Sequence, residues 1–172
     1  MQAYLISQAF SNAGIAHRVS SFCSYWNYTI VHCFRQYDDT QKSNRNILQF
    51  RAFGENRDGL AIRAMVNEPK DRSEEKKILI ILSDGRPNAI GLHRPGTEKP
   101  IPYVGEFAVQ DTAAEVRKAR NLGISVLGIF IGDEQDLSAE RKIFGKEFVY
   151  TRNVDSLAHI VGTYLRKQME QD

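Results

Sequence analysis

The sequence is poor in several features that would point to a function directly. Basic residues number 23 against 21 acidic ones, a net charge of +2 in 172 residues. The strong basic excess of a dedicated nucleic-acid binder is therefore missing. Only two cysteines are present, too few for the disulfide framework of a small secreted scaffold. Cys23 and Cys33 lie in apolar runs without C-x-x-C spacing, and they read as buried free thiols. No run approaches the roughly twenty apolar residues of a membrane span. The opening MQAYLISQAFSNAG lacks a basic start followed by an apolar stretch and a small-residue cleavage site. Those absences predict a soluble, cytoplasmic protein. There is no G-x-x-x-x-G-K-[ST], no G-x-G-x-x-G after a strand and no G-x-S-x-G elbow. His17, His32, His93 and His159 show no zinc spacing. His159 reads as structural, and His93 falls in a long loop. No histidine accompanies a serine or cysteine in a nucleophile motif, so no nucleophile–base pair is expected.

What is present is a periodic α/β pattern. A helix is predicted from Gln2 to Asn12, stopped by Gly14. The chain thus opens within a helical pattern, with no lead-in strand. His17–Trp26 and Tyr28–Phe34 read as a hairpin interrupted at Asn27. Its aromatics Phe22, Tyr25, Trp26, Tyr28 and Phe34 read mainly as core and cross-strand packing. Trp26 and Tyr28 at the tip offer a partner surface as the alternative. Asp38–Arg45 reads as a loop, Ile47–Phe53 as a short helix, and Gly54–Gly59 as a loop before a helix over Leu60–Asn67. Lys70–Lys77 is a charged connector. Ile78–Leu82 is a continuous apolar run, expected for a parallel strand buried on both faces. A loop to Val104 follows, carrying Pro87, Pro95, Pro100 and Pro102. A helix over Ala108–Leu122, a strand over Ser125–Ile131, a helix over Leu137–Phe144, a strand over Phe148–Thr151 and a helix over Val154–Met169 complete the pattern. The whole predicts a single α/β domain. Its sheet is doubly wound and mostly parallel, with helices on both faces and one antiparallel edge strand.

Ligand sites in such sheets form outside the carboxyl ends of the strands. ILIIL-Ser83-Asp84-Gly85-Arg86-Pro87-Asn88 places a carboxylate at the tip of a buried strand. Gly85 lets the backbone turn away there, and Pro87 stiffens the exit. The competing reading is a turn cap by Asp84. Asp133 and Glu134 follow the next strand, and the Gly54–Gly59 loop reaches the same edge.

These residues resemble a known family. ILIILSDGRPN is similar to the last metal-binding motif of the von Willebrand factor A (VWA) domain. GENRDGLAIRAM resembles that family's second metal loop. DTAAEVRKARNLGISVLGIFIGDE resembles the helix and strand after the aspartate motif, and SSFCSYW resembles the second strand. The likeness runs from about Gln2 to Arg166. The DGRPN and DTAAEVRKAR style is similar to bacterial members associated with cobaltochelatase and with nitric oxide reductase activation.

The resemblance implies a Rossmann-like fold with a metal-ion-dependent adhesion site. There a divalent cation, Mg2+ or Mn2+, sits at the carboxyl edge and accepts a partner's carboxylate. It assigns Asp84 as the motif aspartate. Asn56 stands where threonine is usual, and Asp58 is a further ligand or the helix N-cap. Arg86, Asn88, Asp133 and Glu134 become partner-binding residues, with the loop from Asn88 to Val104 shaping specificity. The implied role is non-enzymatic: a protein-interaction module of a larger protein that works with an AAA+ ATPase in metal insertion or enzyme activation. The family's first motif, Asp-x-Ser-x-Ser, and its first strand have no counterpart here. Asp71-Arg72-Ser73 matches only half of that motif, in a charged connector. The site is therefore expected to be partial, with metal weak or absent. The missing strand would leave a gap in the sheet, and so favour a homodimer or strand swap. Two other functions stay open: a metal-assisted hydrolase using Asp84, Asp133 and Glu134, and a structural remnant without a ligand site.

Overall fold

The apolar runs and helical stripes become elements close to where the sequence puts them. The computed structural model describes residues 1–90, 96, 98–153 and 156–170, with backbone alone at residues 70 and 71. His93, residues 91–95 and 97 of its loop, and the start of the last helix at Val154 lie outside the described residues. The elements are α1 (Gln2–Asn12), β1 (Val19–Tyr25), β2 (Tyr28–Arg35), α2 (Asp58–Asn67), β3 (Lys77–Ser83), α3 (Gly105–Asn121), β4 (Ile124–Phe130), α4 (Leu137–Phe144), β5 (Phe148–Tyr150) and α5 (Leu157–Glu170). No helix among the described residues is long and apolar enough to cross a membrane.

The chain divides into two compact units. The first comprises Met1–Phe22, Ile30–Phe53 and Asn153–Asp172. In it α1 packs on a short 3-10 helix, Gln41–Gln49, and on α5. Its polar centre is the buried Arg35 guanidinium. Nε donates to Asn44 Oδ1 at 2.8 Å, and the terminal nitrogens donate to the carbonyls of His17, Gln36 and Asp39. Asn44 in turn donates to Gln8 Oε1 at 2.6 Å and Ser11 Oγ at 3.0 Å on α1. A buried cation is thus held by neutral oxygens, each satisfying one of its protons.

The same unit forms a serine–histidine pair that motif order does not announce. Ser7 Oγ lies 2.7 Å from His17 Nε2, and His17 Nδ1 lies 2.7 Å from the Ile15 carbonyl. A carbonyl only accepts, so Nδ1 carries the proton and the Ser7 hydroxyl donates to Nε2. Both side chains are buried, and burial holds the imidazole below its ordinary pKa. The pair is a satisfied packing element without access for a substrate.

The second unit comprises Cys23–Thr29 and Gly54–Arg152. Its sheet is β3-β4-β5, all parallel. α2, α3 and α4 pack Ile62, Val66, Val109, Val116, Ala119, Ala139, Ile143 and Phe144 against Ile124 and Val126 of β4. α3 suits its dipole, with Glu106 in the first turn and Lys118 and Arg120 in the last.

The antiparallel hairpin forms as expected, with β1 and β2 as a two-stranded sheet and β3, β4 and β5 as a parallel one. Three expectations need correction. The strand buried on both faces is β4; every residue of β3 is half-buried. β3 has a strand neighbour on one side only among the described residues, and an apolar run alone does not reveal that. The helix expected over Ile47–Phe53 is instead the 3-10 helix ending at Gln49, because Phe50 takes an extended conformation. Tyr25, Trp26 and Tyr28 are 55%, 60% and 74% exposed, so of the five aromatics only Phe34 is buried. They sit at the tip of a two-residue turn that puts Trp26, not Asn27, at positive φ (53°), a conformation rare for a bulky residue. Cys23 and Cys33 are free thiols, as expected, though half-buried.

β4 lacks a side chain where α4 crosses it. A Cβ on Gly128 would lie 2.3 Å from the Phe144 ring, itself buried. Gly128→Ala should therefore destabilise the protein by about 1–3 kcal/mol through overpacking. Urea unfolding tests this; an unchanged midpoint would show that Phe144 yields freely.

Candidate functional site

The second unit brings the sequence-marked acids to the carboxyl ends of β3 and β4. Asp84 follows the last residue of β3 directly and is exposed. The neighbouring tip is tied to it, since Ile131 N–H donates to the Ser83 carbonyl at 2.9 Å. Gly132 then runs against Asp84: a Cβ there would lie 2.3 Å from the Asp84 carbonyl oxygen. Any side chain at Gly132 would push this tip aside.

The Gly54–Gly59 loop is held to the same tip by backbone pairing. Asn56 and Asn88 exchange N–H···O bonds of 2.8 and 2.9 Å. On the other side Ser24 and Glu55 pair likewise, at 2.6 and 3.0 Å. α2 begins at Asp58, and the helix start is seated closely. A Cβ on Gly59 would meet Asp111 Oδ2 at 2.3 Å and Tyr103 Oη at 2.9 Å. The Tyr103 hydroxyl donates to that Asp111 oxygen at 2.8 Å. Tyr103 carries no motif signal in the sequence, and Asp111 only opens the DTAAEVRKAR stretch, yet both crowd the start of α2 beside Asp58.

Asp58 occupies the first helical position rather than the N-cap, which is Arg57. Its Oδ1 accepts from Asn56 Nδ2 at 3.0 Å, and Asn56 Nδ2 also donates to the Arg86 carbonyl at 3.2 Å. Both amide protons of Asn56 are thereby committed, so Oδ1 is the atom this side chain can offer a cation. Arg57 directs its guanidinium to the Trp26 carbonyl, at 3.0 Å. Arg86 is ion-paired with Asp136 and donates to the Gln135 carbonyl at 2.7 Å. Glu134 pairs with Arg152 at 3.1 Å. Asn88 and Asp133 are exposed.

A further acid belongs to this cluster. Glu140, in the first turn of α4, is 1% exposed. Its Oε1 lies 3.4 Å from Ser83 Oγ. It shares a helical face with the apolar Leu137, Ile143 and Phe144, and this periodicity was the available signal for its burial. Burial pushes the Asp58 carboxyl up to about 7, against the Asn56 hydrogen bond and with the help of the Asp84 charge. Burial pushes Glu140 up to about 8, with Asp58, Asp136 and Asp84 adding repulsion. The donor set is all hard oxygen, which suits magnesium or manganese. No three His, Cys, Asp or Glu side chains among the described residues are placed to ligate one ion directly, so a cation here would keep much of its water.

This architecture is a VWA-like fold. Among solved structures the chain resembles the pilus adhesin SpaC of Lactobacillus rhamnosus GG, with a TM-score of 0.64 at 15% identity, over 98% of this chain and 27% of that one. It also resembles the manganese-loaded TRAP protein of Plasmodium vivax, with a TM-score of 0.62 at 12% identity, over 95% and 64%. In sequence it is 27% identical over 180 residues to the Bacillus subtilis protein YojO, covering 97% of this chain and 26% of YojO. The chain thus spans about a quarter of that relative's length. No protein-family model matches it.

The two buried acids set a pH dependence. Unfolded, both carboxyls titrate near pH 4; folded, they hold their protons to about 7 and 8. Across that window the native chain binds more protons than the unfolded one, so stability falls as pH rises. The slope is up to about 1.4 kcal/mol per pH unit for each group. In metal-free buffer the melting temperature should be lower at pH 8 than at pH 5.5, and Asp58→Asn with Glu140→Gln should flatten the difference. A melting temperature that climbs with pH over this range contradicts the assignment.

Proposed function

We propose that the chain is a non-enzymatic protein-interaction module of VWA type whose carboxyl edge binds Mg2+ or Mn2+ weakly and, through it, a partner's carboxylate. The observation that carries this reading is the backbone pairing of Asn56 with Asn88. It holds Asn56 and Asp58 against the strand tip that bears Asp84. The neighbour TRAP is manganese-loaded, which supports a metal role for a chain of this fold. The match to 26% of YojO supports work within a larger protein. The DGRPN and DTAAEVRKAR stretches support a place beside an AAA+ ATPase in metal insertion or enzyme activation, of the cobaltochelatase or nitric oxide reductase type. Arg86, Asn88, Asp133 and Glu134 surround the edge as partner contacts, with Arg86 and Glu134 released from their internal ion pairs when a partner binds.

A hydrolase built on Asp84, Asp133 and Glu134 is the weaker reading. Among the described residues the edge has no nucleophile–base pair, and Ser7–His17 lies buried in the other unit. Titration calorimetry decides between them. Mn2+ should bind weakly to the chain and not to Asp84→Ala, and a short glutamate-containing peptide should bind more tightly once Mn2+ is present. Equal Mn2+ binding by both proteins, or turnover of phosphate or ester substrates, would sink the proposal.

β3 supports a second element of the same reading. One of its edges has no strand neighbour among the described residues, and open edges favour pairing with another chain. The chain should run as a homodimer or strand-swapped form in light scattering, and a concentration-independent monomer argues against it.

A further inference from the structure

Glu140 is buried with its needs unmet. Its Oε2 has no hydrogen-bond partner, and its Oε1 has only the 3.4 Å contact with Ser83 Oγ. That hydroxyl has one proton, and the shorter contact takes it: Ser83 Oγ donates to the Gly85 carbonyl at 2.9 Å. The start of α4 contributes the favourable end of a helix dipole, which is small beside the cost of desolvating a carboxylate. A third buried acid of this unit, Glu115, is treated quite differently from Glu140 and Asp58. It receives Arg63 at 2.7 Å and Lys118 at 2.6 Å. Around Glu140 the charges that act on it come from Asp58, Asp84 and Asp136, all acidic. The basic residues that neighbour Asp84 and Asp58 in the chain are spent elsewhere, Arg86 on Asp136 and Arg57 on the Trp26 carbonyl.

We propose that Glu140 is a third anionic group of the cation site at Asp58 and Asp84, turned toward a hydrated divalent ion from the α4 side. This rests on the reading that the edge binds a divalent cation. The geometry calls for the hydrated form. Glu140 meets the strand tip at Ser83, the residue before Asp84, and no three acids among the described residues converge closely enough to ligate one ion directly. Mg2+ retains several waters in most protein sites. An acceptor with an uncommitted oxygen is what such a water needs, and groups that orient metal-bound waters and ligands raise affinity by about 10- to 100-fold. Glu140 is thus a positioning and charge-balancing residue, supplied by a helix that carries none of the other donors.

The test titrates Mn2+ into the metal-free 172-residue chain, Glu140→Gln and Asp84→Asn. The unsubstituted chain should bind, and Glu140→Gln should bind at least tenfold more weakly. Its metal-free melting temperature should be equal or higher, because an amide replaces an uncompensated acid. Unchanged affinity in Glu140→Gln, with binding lost in Asp84→Asn, overturns the role of Glu140 alone. Failure of the unsubstituted chain to bind Mn2+ overturns both this role and the metal reading beneath it. A measurement without substitution guards against misfolding of the variant. The Glu140 carboxyl carbon-13 resonance should broaden at substoichiometric Mn2+, and a sharp line at saturation contradicts the proposal.

Discussion

The parallel pairing of β3 with β4 sets the geometry on which the site depends. Seven residue pairs run in register from Lys77–Ile124 to Ser83–Phe130. Both strands therefore end at one level, with Asp84 leaving one tip and Gly132 leaving the other. The Gly132 backbone is bare where it meets the Asp84 carbonyl, so the two exits lock without a side chain between them. The Asn56–Asn88 bridge then fastens the start of α2 to the same exit. Slipping β3 by one residue would turn its side chains to the opposite face and carry Asp84 away from Asn56 and Asp58.

That lock concentrates negative charge without compensation. Unlike charges could have been placed at the edge, since Arg57 is a chain neighbour of Asp58 and Arg86 is two residues from Asp84. Each is committed elsewhere, to the Trp26 carbonyl and to Asp136. Elsewhere in the same unit a buried acid is paired twice over, as Glu115 is. Leaving a buried acid unpaired is costly, so the contrast separates the edge from ordinary packing. The acids there must be neutralised by protons or by an external cation. On the proposed reading these two compete, and a divalent ion displaces the protons that otherwise keep Asp58 and Glu140 neutral.

Much of this was readable in the sequence because it is local. The continuous apolar runs marked β3 and β4, the spaced alanines and valines marked α3, and Asp84 and Asp58 stood out by position at strand and helix ends, with Asn56 marked by the family resemblance. What escaped depends on neighbours distant in the chain. The half-burial of β3 follows from having a strand on one side only, and no run of five apolar residues encodes that. Trp26 took the left-handed turn position although Asn27 beside it is the better candidate by propensity. Ser7 and His17 meet through the packing of unit one, and Tyr103 and Asp111 reach Gly59 across α2 and α3. Glu140 was legible only as a charge on an apolar helical face. Which acids it would meet was set by the sheet.

A shared fold does not carry a shared chemistry, and identities of 12–15% to the solved neighbours show the fold alone. A ligand at this edge is therefore proposed on the residues themselves. A remnant without a ligand would gain by losing its buried carboxylates, because isosteric neutral side chains remove the desolvation cost at no loss of packing. Asp58 and Glu140 nevertheless sit buried, facing one another's field, on two different helices whose positions are fixed by close contacts at Gly59 and Gly128. Rigid scaffolding around buried acids that are given no basic partner is a poor way to stabilise a domain and a good way to hold oxygen donors ready for a cation.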